Sequence, residues 1–133
     1  MKLASILPLA ISLLLTAGCA TMDTVRAENR ANLNRLQLGM TKEEVLAVMG
    51  TKTVTTYREG VRGEQITNPY RTEMHRAGGH TWEIMYYLTD LKADDDAITD
   101  DELTPIVLKD GKLDGWGWSY LQDVARTYEI RIR

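Results

Sequence analysis

Few side chains in this 133-residue chain are of a type that does covalent or metal chemistry. Cys19 is the only cysteine, and His75 and His80 are the only histidines. Cys19 directly follows the small residues Ala17 and Gly18. A thiolate at such a point is a good nucleophile for accepting a diacylglyceryl group, and small neighbours give a peptidase access to the bond between Gly18 and Cys19. The two histidines lie in a glycine-rich stretch with no third ligand near them, short of what a zinc ion takes. They read as exposed loop histidines. Beyond the first twenty residues Ser119 is the only serine, so nothing flags a Ser-His-Asp arrangement. No catalytic residue, metal ligand or cofactor is assigned, and the chain is not expected to be an enzyme.

Asp90, Asp94, Asp95, Asp96, Asp100, Asp101 and Glu102 form an acidic stretch opposed only by Lys92. A calcium loop needs oxygen ligands at fixed alternating positions and a central glycine. Counted from Asp94, Ile98 and Thr99 break that pattern, so the stretch reads first as a solvated loop. Divalent-ion binding and recognition of a basic partner stay open as alternatives. Two groups could anchor a protein partner, since aromatics and arginine are enriched at interface hot spots. One is Trp116 and Trp118 with Tyr120, unless the C-terminal segment covers them. The other is Tyr70 and Arg71 in the turn Asn68-Pro69-Tyr70-Arg71, otherwise a solvated loop.

The elements that carry these residues start with a leader. Lys2 supplies a positive start, and the apolar run Leu3 to Leu15 suits a signal h-region while falling short of the roughly 20 residues a spanning helix needs. The stretch before Cys19 resembles a bacterial lipobox, with Thr16 where Leu is common. That resemblance implies a signal peptide over residues 1–18 and an acylated Cys19 as the new N-terminus, held in the membrane by several acyl chains. An ordinary secreted protein with a chance cysteine is the alternative. Ala20, in place of Asp, implies the outer membrane. Formal net charge is −3, and removing Lys2 with the leader makes it more negative, which gives no electrostatic case for nucleic acid. What remains is enough for one small domain.

Residues 19–32 read as the lipidated cysteine and a polar tether, either a solvated leash or a docking helix that forms towards Leu33 and Leu36. A domain over residues 33–133 comes next. Thr41 with Glu44 makes a capping box, Gly50 marks a helix end, and Val45, Val48 and Met49 form one apolar face. Lys52 to Arg58 reads as a short strand or extended segment, and Glu59 to Gly79 as a long loop with a short extended piece at Tyr70 to Met74. Trp82 to Leu88, Leu103 to Lys109 and Lys112 to Trp118 read as strands, the last two joined by a type I′ turn at Asp110-Gly111. Pairing Lys109 with Lys112 puts Ile106 opposite Gly115 and turns Trp116 and Trp118 to the other face; a bulge at Gly115 inverts this. The tail fits a helical stripe through Tyr128 or a strand from Tyr128 on. A short helix with an extended end is expected.

The run Leu36 to Gly50, with Gly39, Met40, Thr41, Val45 and Gly50, is similar to the opening motif of the SmpA/OmlA (BamE-like) family of small outer-membrane lipoprotein domains. The resemblance covers residues 33 to 118. It implies an α+β fold of two N-terminal helices packed on a three-stranded antiparallel sheet, here with a C-terminal extension. The five motif residues carry over as fold-specifying positions. The expected function is that of a lipid-anchored, non-enzymatic adaptor facing the periplasm, which binds an envelope protein in outer-membrane assembly or maintenance. A ligand- or ion-binding envelope lipoprotein is the alternative. A Cys19→Ala variant is expected to fold normally yet leave the membrane fraction. Its retention there after a high-salt wash contradicts the anchor.

Overall fold

The computed structural model describes residues 21–58, 61–92 and 97–133. The expectations for the leader, Gly18 and Cys19, and for Asp94 to Asp96, fall outside these residues. The chain is α+β, but the expected two N-terminal helices on a three-stranded sheet do not form. The described residues form three α-helices, α1 (Met22–Leu33), α2 (Lys42–Met49) and α3 (Trp118–Tyr128). Strands β1 (Thr53–Arg58) and β2 (Val61–Thr67) make a two-stranded sheet. Strands β3 (Arg71–Ala77), β4 (His80–Leu88), β5 (Leu103–Lys109) and β6 (Lys112–Trp116) make an antiparallel four-stranded sheet in chain order. The segment expected to be a long loop is therefore mostly strand.

Both faces of β4 are buried, which is why helices must cover both sides of the sheet. Met85 and Tyr87 join Ile106, Leu108 and Leu113 beneath Val45 and Met49 of α2. Trp82, Ile84, Tyr86 and Leu88 join Leu103 and Val107 beneath Leu121 and Val124 of α3. The expected short C-terminal helix is present; the end expected to be extended forms no strand, and Tyr128, Ile130 and Ile132 extend the cover on the α3 side. Burial lifts the Tyr87 phenol to about 12, so the ring serves packing rather than proton chemistry.

The motif residues act at the other end of the sheet. Gly39, at φ +87°, lets the chain turn so that its amide donates to the Leu113 carbonyl at 2.8 Å. The Leu113 amide donates back to the Met40 carbonyl at 2.8 Å, and Thr41 bridges to Lys112. Thr41 then caps α2: its hydroxyl accepts from the Glu44 amide, and Glu44 accepts from the Thr41 amide at 2.9 Å. The outer edge of β6 is thereby covered at Lys112 and Leu113 from within the chain.

The Asp110-Gly111 turn has positive φ at both residues, as a type I′ turn requires, and the Lys109–Lys112 and Leu108–Leu113 pairs form as expected. The register then shifts, pairing Val107 with Gly115 and Ile106 with Trp116. Asp114 is the extra residue, and it exchanges the faces of the residues beyond it. Gly115 now lies under Tyr120 of α3, whose ring atoms stand 2.7 Å from where a Cβ would be.

Helix α1 is docked, not a leash: Val25 enters the α3-side core, and polar groups add to it. Asn29, 1% exposed, donates to the Leu88 carbonyl at 2.8 Å and exchanges amide hydrogen bonds with Asn68. Buried Arg26 donates through Nε to the Asp90 carbonyl at 2.8 Å, and Arg30 donates to the Thr89 carbonyl. Three carbonyls where the chain leaves β4 are satisfied this way, which the backbone needs at a buried strand end.

Candidate functional site

Arg71 opens β3 and lies across from Tyr86 of β4, on the α3 side of the sheet. Its guanidinium sits 4.0 Å from the centre of the Tyr86 ring. One end is 3.3 Å from Glu73 and the other 3.0 Å from Asp100. It also donates to the Arg133 backbone oxygen at 2.9 Å. Glu73, nearly buried, accepts from His75 at 3.0 Å and from the Arg133 amide at 3.4 Å. The Tyr86 hydroxyl is buried without a hydrogen-bond partner among the described residues, and burial with the Glu73 carboxylate beside it holds its pKa well above the usual tyrosine range. Arg71 is thus a hub that ties β3 to the loop before β5 and to the C-terminal tail.

Its neighbour Tyr70 is different. The Tyr70 amide donates to the Tyr86 carbonyl at 2.7 Å, which fixes its backbone, while 37% of the residue remains exposed. Of the two residues expected to anchor a partner in this turn, Tyr70 faces outward and Arg71 is committed inward.

The expected patch of Trp116, Trp118 and Tyr120 is divided. The bulge at Asp114 turns Trp116 to the α2 core, where it packs against the cluster that holds Ile106 and Leu108. Trp118 packs on the α3 side, 5.8 Å from the Tyr86 ring, and its indole donates to the Leu103 carbonyl at 2.8 Å. Tyr120 covers Gly115 and hydrogen-bonds the Asp114 carboxylate.

The remaining polar candidates hold loops. His80 is 2.6 Å from Asp110, which also accepts from the Thr81 amide at 2.9 Å; these bonds keep the Asp110 carboxyl below its usual pKa. Glu102, 1% exposed, accepts from the Thr99 amide at 2.9 Å and the Lys92 amide at 3.2 Å. Asp90 pairs with Lys92 at 2.7 Å. No group of three acidic, histidine or cysteine ligands comes together among the described residues.

Sequence reasoning caught only the start of β3, as the short extended piece at Tyr70 to Met74, and missed that it is a full edge strand. On the α2 side of this strand Thr72, Met74 and Arg76 are exposed, Met74 by 60%. Among the described residues no strand pairs with its outer edge. Hydrophobic alternation could not reveal the whole strand, because the inward side chains Arg71, Glu73 and His75 are charged or polar; they pair with one another, while Arg71 Nε and Nη2 and Glu73 Oε1 make no hydrogen bond among the described residues.

A family model described as protein of unknown function (DUF3192) matches residues 17–123, most of the chain, and the chain belongs to that family. No curated protein matches it, and no solved structure does.

An Arg71→Ala change removes a charged partner from nearly buried Glu73 and releases the tail. It is expected to lower stability by about 2 kcal/mol and to speed carboxypeptidase trimming of residues 129–133. Wild-type melting and wild-type trimming together contradict the hub.

Proposed function

We propose that this member of the DUF3192 family is a lipid-anchored, non-enzymatic adaptor that binds another envelope protein on the periplasmic side of the outer membrane. The leader that ends at Cys19 supports the anchor, and the likeness of Leu36 to Gly50 to the SmpA/OmlA opening motif supports the setting. The reading of the domain as a binding module rests chiefly on Tyr70. An exposed ring on a fixed backbone loses little freedom when a partner covers it, which favours it as an interface anchor. Its surroundings support the same reading. The described groups with reactive chemistry, Arg71, Glu73, His75 and His80, are engaged in contacts that hold strands and tail together.

The adaptor reading is tested with a photocrosslinking amino acid at position 70 in intact cells, beside the same group at Gln122, an exposed position on α3. A discrete adduct with another protein is expected at Tyr70 and not at Gln122. No adduct at Tyr70, or only those that Gln122 also gives, contradicts the reading.

A further inference from the structure

We propose that the outer edge of β3 pairs antiparallel with the same edge of a second copy of this chain. Such an edge presents the unpaired N–H and C=O groups of every second residue, and a two-fold axis normal to the sheet lets two copies satisfy each other. That symmetry pairs residues of the same face only. Glu73 and His75 face the α3 side in both copies, and Thr72, Met74 and Arg76 face the α2 side.

The order of side chains selects one register. Centred on Met74, the strand places Glu73 opposite His75 of the second copy twice, Thr72 opposite Arg76 twice, and Arg71 opposite Ala77 twice. Met74 meets its own copy on the axis. No like charges stand opposite each other, and the most exposed apolar side chain of the strand, 60% exposed Met74, is the one covered. Moving the axis one residue toward Arg71 sets Glu73 against Glu73. Moving it toward Ala77 sets His75 against His75 and leaves Met74 opposite Arg76. The charges that protect this edge from promiscuous pairing thus admit one partner, an identical strand.

Pairing this way joins two sheets into one of twice the width, with both α2 layers on one side and both α3 layers on the other. In the four-stranded sheet β6 is covered at Lys112 and Leu113, and among the described residues no strand pairs with the outer edge of β3. Tyr70 lies beyond the last pair at each end and stays free. The inference therefore stands apart from the adaptor reading, and either can fail without the other.

The test uses the full chain with Met74→Cys, mildly oxidised and run on a non-reducing gel. It is compared with Gln122→Cys and with the unsubstituted chain, which reports any contribution of Cys19. Residues opposite each other in an antiparallel pair are close enough for a disulfide. A disulfide-linked dimer is expected from Met74→Cys and from neither control; a yield no greater than that of Gln122→Cys overturns the proposal. Sedimentation supplies a second measurement, with Met74→Lys, which sets two positive charges on the axis without touching the core. The unsubstituted chain is expected to sediment as a dimer with rising concentration, and folded Met74→Lys as a monomer. A monomeric unsubstituted chain, association that survives Met74→Lys, or crosslinking of position 74 to a different protein overturns it.

Discussion

The double burial of β4 is the constraint on which the rest of the domain depends. A strand that turns Trp82, Ile84, Tyr86 and Leu88 one way and Met85 and Tyr87 the other cannot leave either side wet. Each such side chain is worth about 1.5–3 kcal/mol when removed from water, so one bare face would forgo several of these terms at once. The chain supplies α2 for one side and α3 with the tail for the other. The end of β4 cannot be covered by apolar groups, because its carbonyls need donors. Asn29, Arg26 and Arg30 of α1 provide them.

With both faces covered, the edges of the sheet decide what the domain can meet. The Gly39–Thr41 segment covers part of β6 by main-chain hydrogen bonds and caps α2 in the same few residues. A motif that looks like a helix start is therefore also an edge cover, which explains why both glycine and threonine are needed there. β3 has no such cover among the described residues. Its inward residues form a charged network instead of a core, and the tail is tied to the same network through Arg133. Chemistry-bearing side chains are spent on architecture, and the proposed recognition rests on Tyr70 and the strand edge.

The same physics decides which elements the sequence displays and which it hides. The capping box at Thr41, the apolar face of α2 and the type I′ turn at Asp110-Gly111 are local signals, readable because short-range geometry dictates the residue types. β4 and β5 are readable because burial writes apolar residues into them. β2 is not readable and β3 only in part, since Arg71, Glu73 and His75 replace apolar residues on the inward side of β3 and its one large apolar side chain, Met74, faces out. Asn29 and Arg26 look like tether residues for the same reason: hydrogen bonding to distant carbonyls leaves no periodic trace. The split of Trp116 from Trp118 turns on one bulged residue, Asp114, and a single-residue register shift reverses every side chain beyond it. The proposed acylation of Cys19, by contrast, rests on the sequence alone.

The central claim is a sheet covered at β6 by its own chain and open at β3. Residue-resolved amide hydrogen exchange on a dilute sample, where copies do not meet, addresses it most directly. The amides of Gly39 and Leu113 should exchange as slowly as those of β5, while the outward-facing amides of β3 exchange far faster. Rapid exchange at Gly39 and Leu113, or uniform protection along β3 at high dilution, would contradict the account.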